Sequence, residues 1–365
     1  MSNIRKIFFA VLLMCSNSIF AQTDSAKTTT SNSALSFSGY AELYYQYDFN
    51  KPVDNNRPGF IYSHNRHNEF NLNLGFLKAA YKTDKVRANL ALAAGTYMNA
   101  NYAAETGVMK NVYEANAGAK LGKKNLWVDA GIFSSHIGFE SAISKDCWTL
   151  TRSMLADNSP YYEAGAKITY TANNGKWLLS ALALNGWQRI KRVDGNSMMS
   201  WGTQLQYKPT DKILLNYSSF VGTDKPDSAR QLRHFHNLYG IFNLTDKLDL
   251  TAGIDIGAEQ KAKGSKAYNS WYAPVLMLKL QTANKSYIAA RIEYYNDESG
   301  VIINTATPNG FKTWGGSFNY DYAVASNMMW RTEGRFFWGK DKIFEKNNTP
   351  VNTDFFFTTS LAVSF

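Results

Sequence analysis

Apolar and polar side chains take turns along most of this chain. At Ser36–Phe49 (SFSGYAELYYQYDF), Phe37, Ala41, Leu43, Tyr45 and Tyr47 share one side, and Ser38, Glu42, Gln46 and Asp48 the other. At Leu248–Glu259 (LDLTAGIDIGAE), Leu248, Leu250, Ala252, Ile254 and Ile256 oppose Asp249, Thr251, Gly253, Asp255 and Gly257. At Asn327–Trp338 (NMMWRTEGRFFW), Met328, Trp330, Phe336 and Trp338 oppose Arg331, Glu333 and Arg335. The chain closes on DFFFTTSLAVSF, where Phe355, Phe357, Leu361, Val363 and Phe365 alternate with small or polar residues. A period of two is the signature of a strand with one apolar and one polar face.

The connections alternate as well. Short polar turns occur at 83–85 (TDK), 122–125 (GKKN), 173–176 (NNGK), 210–212 (TDK), 245–247 (TDK), 283–285 (ANK) and near 323–326 (AVAS). Longer segments between them centre on 50–64, 100–110, 136–161, 190–197, 223–232, 259–269, 297–309 and 339–352. The pattern predicts about sixteen strands: 36–49, 65–82, 85–99, 111–121, 125–135, 161–172, 176–189, 198–209, 212–222, 233–244, 247–258, 270–282, 285–297, 310–322, 327–338 and 353–365. An even count brings both termini to the side of the short turns. At about 3.3 Å per residue and a tilt near 40°, ~10 residues cover the ~25 Å apolar band of an outer membrane.

The remaining question is which face is dry. Polar faces carry Glu42, Glu69, Arg87, Asp129, Asp249, Asp255, Arg291, Glu293, Arg331, Glu333 and Arg335. Desolvating all of them in a packed core is costly, and about sixteen strands close around a bore too wide for wall side chains to fill. Aromatics cluster near strand ends (Tyr45, Tyr47, Phe49, Trp271, Trp314, Tyr320, Tyr322, Trp330, Trp338), as interfacial girdles do. The expected fold class is therefore all-β. It is a transmembrane antiparallel β-barrel of about sixteen strands, apolar side chains outward, both termini and the short turns periplasmic, and the longer loops external.

Composition agrees and adds a compartment. The 365 residues are 15% aromatic and only 19% charged, with a mean hydropathy of −0.34. Arg5 and Lys6 precede an apolar run, Ile7–Met14, too short to span a bilayer and shaped like a secretory signal. Ile19 and Ala21 offer a cleavage site, so the expected division is 1–21 signal peptide, 22–35 disordered leader and 36–365 barrel. A lipoprotein anchored at Cys15 is the alternative, against which Met14 is bulky. Removing the signal lowers the formal charge from +10 to +8 and leaves one cysteine, Cys147, which excludes an internal disulfide. Export makes nucleic acid an unsuitable partner for the basic charge.

Three segments resemble a known family: SGYAELYYQYDF (38–49), NEFNLNLGFLKAAY (68–81) and TRSMLADNSPYYEAGAKITY (151–170). They look like the Gram-negative outer-membrane porins, more narrowly the OmpL-like β-barrel porin-2 type, over about 36–365. The resemblance implies an outer-membrane location and passive diffusion of small solutes or ions, with no cofactor. It also implies contact with outer-membrane lipids and lipopolysaccharide, and allows an oligomer. Phe355, Phe357, Leu361, Val363 and Phe365 match the family's C-terminal signal, by which the barrel-assembly machinery recognises a barrel for insertion.

The longest predicted loop, His136–Tyr161, follows the fifth strand, where sixteen-stranded porins fold a loop into the bore. Glu140, Lys145, Asp146, Arg152 and Asp157 give it both signs of charge. It is the candidate constriction, facing wall residues Arg87, Arg291, Glu293, Arg331, Glu333 and Arg335. The plain alternative is a solvated external loop. No catalytic or metal site is expected. His234 and His236 share a strand face without a third ligand, His64 and His67 miss metalloprotease spacing, and Cys147 has no nearby histidine. A non-conducting binding or scaffold barrel, and a barrel enzyme such as a lipase, are the rival readings.

Overall fold

The computed structural model describes residues 34–365. The expected signal peptide and most of the leader lie outside the described residues. Eighteen strands follow in chain order. They are β1 (Leu35–Asp48), β2 (Phe70–Lys82), β3 (Val86–Ala94), β4 (Val112–Lys120), β5 (Leu126–Ser134), β6 (Tyr162–Thr171), β7 (Trp177–Leu184), β8 (Ser200–Thr210), β9 (Ile213–Gly222), β10 (Arg233–Asn243), β11 (Leu248–Gln260), β12 (Tyr268–Ala283), β13 (Ser286–Asp297), β14 (Phe311–Ala325), β15 (Met328–Gly339), β16 (Phe344–Lys346), β17 (Thr349–Val351) and β18 (Thr353–Ser364). Sixteen of them form one closed antiparallel barrel, each paired with its chain neighbours, and β18 pairs with both β15 and β1. The other two, β16 and β17, make a small hairpin within the last long connection.

Closure uses the last residue. Phe365 N–H donates to the Gly39 carbonyl at 3.0 Å and Gly39 N–H donates to the Phe365 carbonyl at 2.7 Å. No ladder group of that pair is left bare, as lipid requires. The Phe365 ring covers Gly39 so closely that a Cβ there would stand 2.3 Å from it.

Exposure alternates with the inverted sense. On β13, Ile292 is 54% exposed while Arg291 and Glu293 are 4% and 2% exposed. Leu43, Leu278, Phe318, Phe336 and Trp338 are likewise exposed, and Glu42, Asn319, Arg331 and Arg335 buried. The five apolar positions of the closing strand all lie on the outer face with Leu43 and Phe336.

Several boundaries differ from the sequence expectation. β1 begins at Leu35, taking the last expected leader residue into the sheet. β2 starts only at Phe70, so Glu69 is a loop residue paired with Arg66 at 2.8 Å rather than a mid-strand charge. β3 stops at Ala94, and α1 (Thr96–Asn101) takes the place of the predicted strand end. Gly95 makes that break: its φ is +129° and a Cβ would meet the Asn73 carbonyl oxygen at 2.3 Å. Trp271, expected in an interfacial girdle, points inward and is buried.

The bore itself is filled differently from the expectation. Wall side chains alone do not fill it, but chain connections enter it. Phe60, from the β1–β2 connection, packs edge-on to Phe311 at 4.7 Å. Met154 and Leu155 of α2 (Met154–Asp157) join Trp271, Val275, Met277 and Phe337 in one apolar cluster. The lumen face of β12 is accordingly apolar (Trp271, Ala273, Val275, Met277), and the wall charges of β13–β15 are shielded from water. Burying this apolar surface favours insertion of the connections.

Candidate functional site

The segment between β5 and β6 is the one that meets the wall charges Arg291, Glu293, Arg331, Glu333 and Arg335. Its ends are tied together, with Ser135 N–H donating to the Tyr161 carbonyl at 3.0 Å. At its root, His136 Nδ1 lies 2.9 Å from both Glu163 carboxylate oxygens on β6, and Nε2 lies 2.9 Å from the Ser219 carbonyl on β9. Ser218 Oγ donates to the His136 carbonyl at 2.7 Å, and Asn237 on β10 accepts from Gly138 N–H at 3.2 Å. The segment then reaches the opposite wall. Ser144 Oγ donates to Glu42 on β1. Since Glu42, Asn237 and Ser218 all face inward, the segment lies within the lumen.

Against β13–β15, wall carboxylates and Asn319 accept from the segment's N–H groups, and wall guanidiniums donate to its carbonyls and threonine hydroxyls. Glu333 accepts from Thr151 N–H at 2.6 Å and Glu293 from Met154 N–H at 2.6 Å. Arg291 donates to the Thr151 carbonyl at 2.7 Å, Arg335 to the Arg152 carbonyl at 2.7 Å, and Arg331 to the carbonyls of Cys147 (2.9 Å) and Ser144. The same charges pair with each other: Arg291–Glu333 at 3.0 Å, Arg335–Glu293 at 2.6 Å, Arg331–Asp321 at 2.7 Å. Irregular backbone must find partners when water is excluded, and charge-assisted bonds are the strongest available.

The predicted site residues do not all fall together. Glu140, Arg152, Arg291, Glu293, Arg331, Glu333 and Arg335 form one buried network. Within it Arg152 donates to the Leu150 and Ala142 carbonyls at 2.7 and 2.8 Å, and Glu140 accepts from Ser153 N–H at 3.0 Å. Ser153 in turn caps α2, accepting from Ala156 N–H at 3.2 Å. Asp157 accepts from the Tyr161 hydroxyl at 3.2 Å. Burial pushes its carboxyl up to about 7 against the opposing pull of Arg335 and Arg152. Burial likewise pushes the Cys147 thiol up to about 11. Lys145 reaches Ser364 Oγ on β18 at 2.6 Å.

Arg87 stands apart, paired with Asp129 at 2.6 Å. It faces the segment across a cavity of about 260 Å³, lined by Arg87, Asp129 and Lys167 from the wall and by Glu140, Asp146 and Tyr161 from the segment. Lys167 stands over the Phe133 ring at 4.4 Å.

Asp321, Asn319, Glu163 and His136 belong to the site and were not among the predicted residues. Asn319 and Asp321 were legible, because NYDY repeats the polar-every-second-residue pattern. The His136–Glu163 pair carried no sequence signal, since 27 residues and a folded segment separate its members. His234 and His236 lie on the outer face of β10, where Tyr217 bonds His236 at 2.8 Å. Among the described residues no cluster of three or more His, Cys, Asp or Glu side chains is placed to hold a metal ion.

A family model described as "Putative beta-barrel porin-2, OmpL-like" matches residues 34–365. The chain belongs to that family. Solved structures of the same fold include the outer-membrane expressed OmpT of Vibrio cholerae, at 11% identity and a TM-score of 0.60, covering 93% of this chain and 100% of that one. An anion-selective porin from Comamonas acidovorans gives 9% identity and a TM-score of 0.60, covering 91% and 99%. The outer membrane channel DcaP of Acinetobacter baumannii gives 10% and 0.54, covering 91% and 97%. At these identities the likeness is one of fold. No curated protein matches the sequence significantly.

Proposed function

We propose that this porin-family barrel is an outer-membrane diffusion channel of a Gram-negative bacterium, narrowed by its own 135–161 segment. The observation that carries the reading is the set of bonds from that segment to the inward side chains of β1, β9 and β10 (Glu42, Ser218, Asn237) and from its backbone to the inward charges of β13–β15. They hold an irregular chain across the bore. Solutes or ions then pass beside the segment, past the Arg87–Asp129 and Lys167 wall, where charges of both signs line about 260 Å³ of free space. The termini and short turns face the periplasm and the long loops the exterior, among lipopolysaccharide. Phe355, Phe357, Leu361, Val363 and Phe365 present the assembly machinery with the closing strand, and self-association through the lipid face is compatible with the fold.

Planar-bilayer recording tests the reading. The purified protein is expected to give stepwise conductance. Deleting 140–157 is expected to enlarge each step and alter the reversal potential in a salt gradient. Unchanged conductance and ion preference after deletion would remove the segment from its constricting role. Silence of both proteins would favour the non-conducting barrel, a reading to which the dehydration of the β13–β15 charges lends weight.

A further inference from the structure

A second and larger cavity, about 750 Å³, opens at the long-loop end of the barrel, between the connections 49–69, 298–310 and 340–352. Its volume falls within the ~300–1,000 Å³ of small-molecule sites. Its floor is fixed. Arg57, fully buried, is bonded to Asp48 at the end of β1 and to Asp354 at the start of β18, the latter at 2.7 Å. The guanidinium carbon lies 3.9 Å from the centre of the Phe356 ring. Asn158, which follows α2, donates to the Phe60 carbonyl at 3.1 Å and joins the floor to the constricting segment.

The lining has two characters. One is neutral and hydrogen-bonding: Tyr62, Asn304, Thr305 and Asn56. Among the described residues the Tyr62 hydroxyl makes no hydrogen bond, and Asn304 uses only its amide oxygen, accepting from Ala306 N–H at 3.0 Å. The other is apolar: Ile302, Ile343, Pro58 and Pro350. Three of the chain's eight prolines, Pro52, Pro58 and Pro350, lie on this wall, which lowers the cost of ordering the loops around a ligand. Charge decides what the site rejects. Asp48, Asp54, Asp354 and Glu345 face it against Arg57 and Lys342, so an anion meets net repulsion.

We propose that this vestibule binds a neutral polyhydroxylated solute of di- or trisaccharide size. A sugar ring offers an apolar C–H face to the isoleucine and proline wall. Its rim of hydroxyls donates to carboxylates, and both donates to and accepts from amide and phenol groups. A solute held there stands directly above the constriction, so the site would load the channel proposed above. It rests on that reading for its purpose and not for its existence.

The test is calorimetric titration of the detergent-solubilised full chain with raffinose, alongside citrate and arginine, with bilayer recording kept as a separate measurement. Saturable raffinose binding is expected, weakened about tenfold in a Tyr62→Phe/Asn304→Ala variant, as the loss of two ordinary hydrogen bonds would do. Asn304→Ala alone changes an exposed loop position and guards against misfolding of the double variant; it is expected to give about half the effect on a logarithmic scale. Absence of raffinose heat, equal binding by the variants, or tighter binding of citrate or arginine would each overturn the proposal. A silent bilayer with raffinose bound would sink the channel and leave the site standing. An active channel with no raffinose binding would do the reverse.

Discussion

Arg331 donates at once to Asp321 on the adjacent strand and to two carbonyls of the inserted segment, with no exposure to solvent. Removing it strands a buried carboxylate, which typically costs about 3–5 kcal/mol. Arg331→Leu should therefore lower the urea midpoint of the refolded barrel sharply, and adding Asp321→Leu should restore much of the loss. Additive damage would mean that the pair is not coupled. His136 poses a different problem. Both of its ring nitrogens face acceptors, the Glu163 carboxylate and the Ser219 carbonyl. A neutral imidazole can donate to only one. Burial alone would lower its pKa, but the charge and hydrogen bond of Glu163 outweigh burial and raise it, while Lys167 opposes them. A raised folded pKa gives stability that is full below about 6.5 and is lost as pH rises through the folded value. The Asp157 carboxyl, pushed up to about 7, acts in the same direction at lower pH: its contribution is lost from the ordinary carboxyl value of about 4 up to about 7, so it adds to the lower part of the range. Glu140, Arg152 and Arg335 face it from the segment and from β15. The segment is therefore expected to loosen between pH 6 and 8. Trypsin cleavage after Lys145 or Arg152, followed by mass spectrometry and divided by the rate on an unstructured peptide at each pH, should accelerate several-fold over that range in the native protein and stay level in His136→Gln/Asp157→Asn. An equal response of both proteins would remove these two groups as the cause.

At the scale of elements, the barrel closes on a glycine under an aromatic ring. Gly39→Val would push a side chain into the Phe365 ring on the lipid face. Folding into lipid vesicles, followed by the heat-modifiable gel shift, should slow several-fold for Gly39→Val. A Phe365→Ala background should show little further slowing, because the ring that clashes is gone. Strictly additive slowing would separate the two residues. The same elements show how much the sequence disclosed. Alternation gave the sixteen barrel strands, because lipid on one side and an ionic lumen on the other enforce a period of two. It misplaced the end of β3, where Gly95 turns the chain, and it did not resolve the β16–β17 hairpin inside a polar connection. Trp271–Leu278 (WYAPVLML) carried an overlooked clue: a run apolar on both faces belongs to a strand dry on both faces. That run faces the inserted apolar segment, with Trp271, Val275 and Met277 against Met154 and Leu155. For the site, the wall charges were legible one by one. Their partners were not, because backbone groups of a folded-in segment leave no trace in residue type.

For the molecule as a whole, orientation is what a charge substitution measures. Leu278 sits mid-wall on β12, opposite Leu250 and Ala290, and points outward. Asn89 on β3 faces inward and lines the smaller cavity beside Arg87. Placing a cation on the lipid face near the bilayer midplane costs about 2–4 kcal/mol. The same cation on a wetted lumen wall keeps its hydration and costs little, but it changes the field that a passing ion experiences. Leu278→Arg should therefore lower the urea midpoint of the protein in vesicles, followed by tryptophan fluorescence, and leave the reversal potential of any folded channel unchanged. Asn89→Lys should leave the midpoint within experimental scatter and shift the reversal potential toward anions. The two readouts exchange places only if the apolar face is the inner one. The pair thus tests the inverted barrel and the conducting lumen in a single comparison, and a loss of stability confined to Asn89→Lys would reject both.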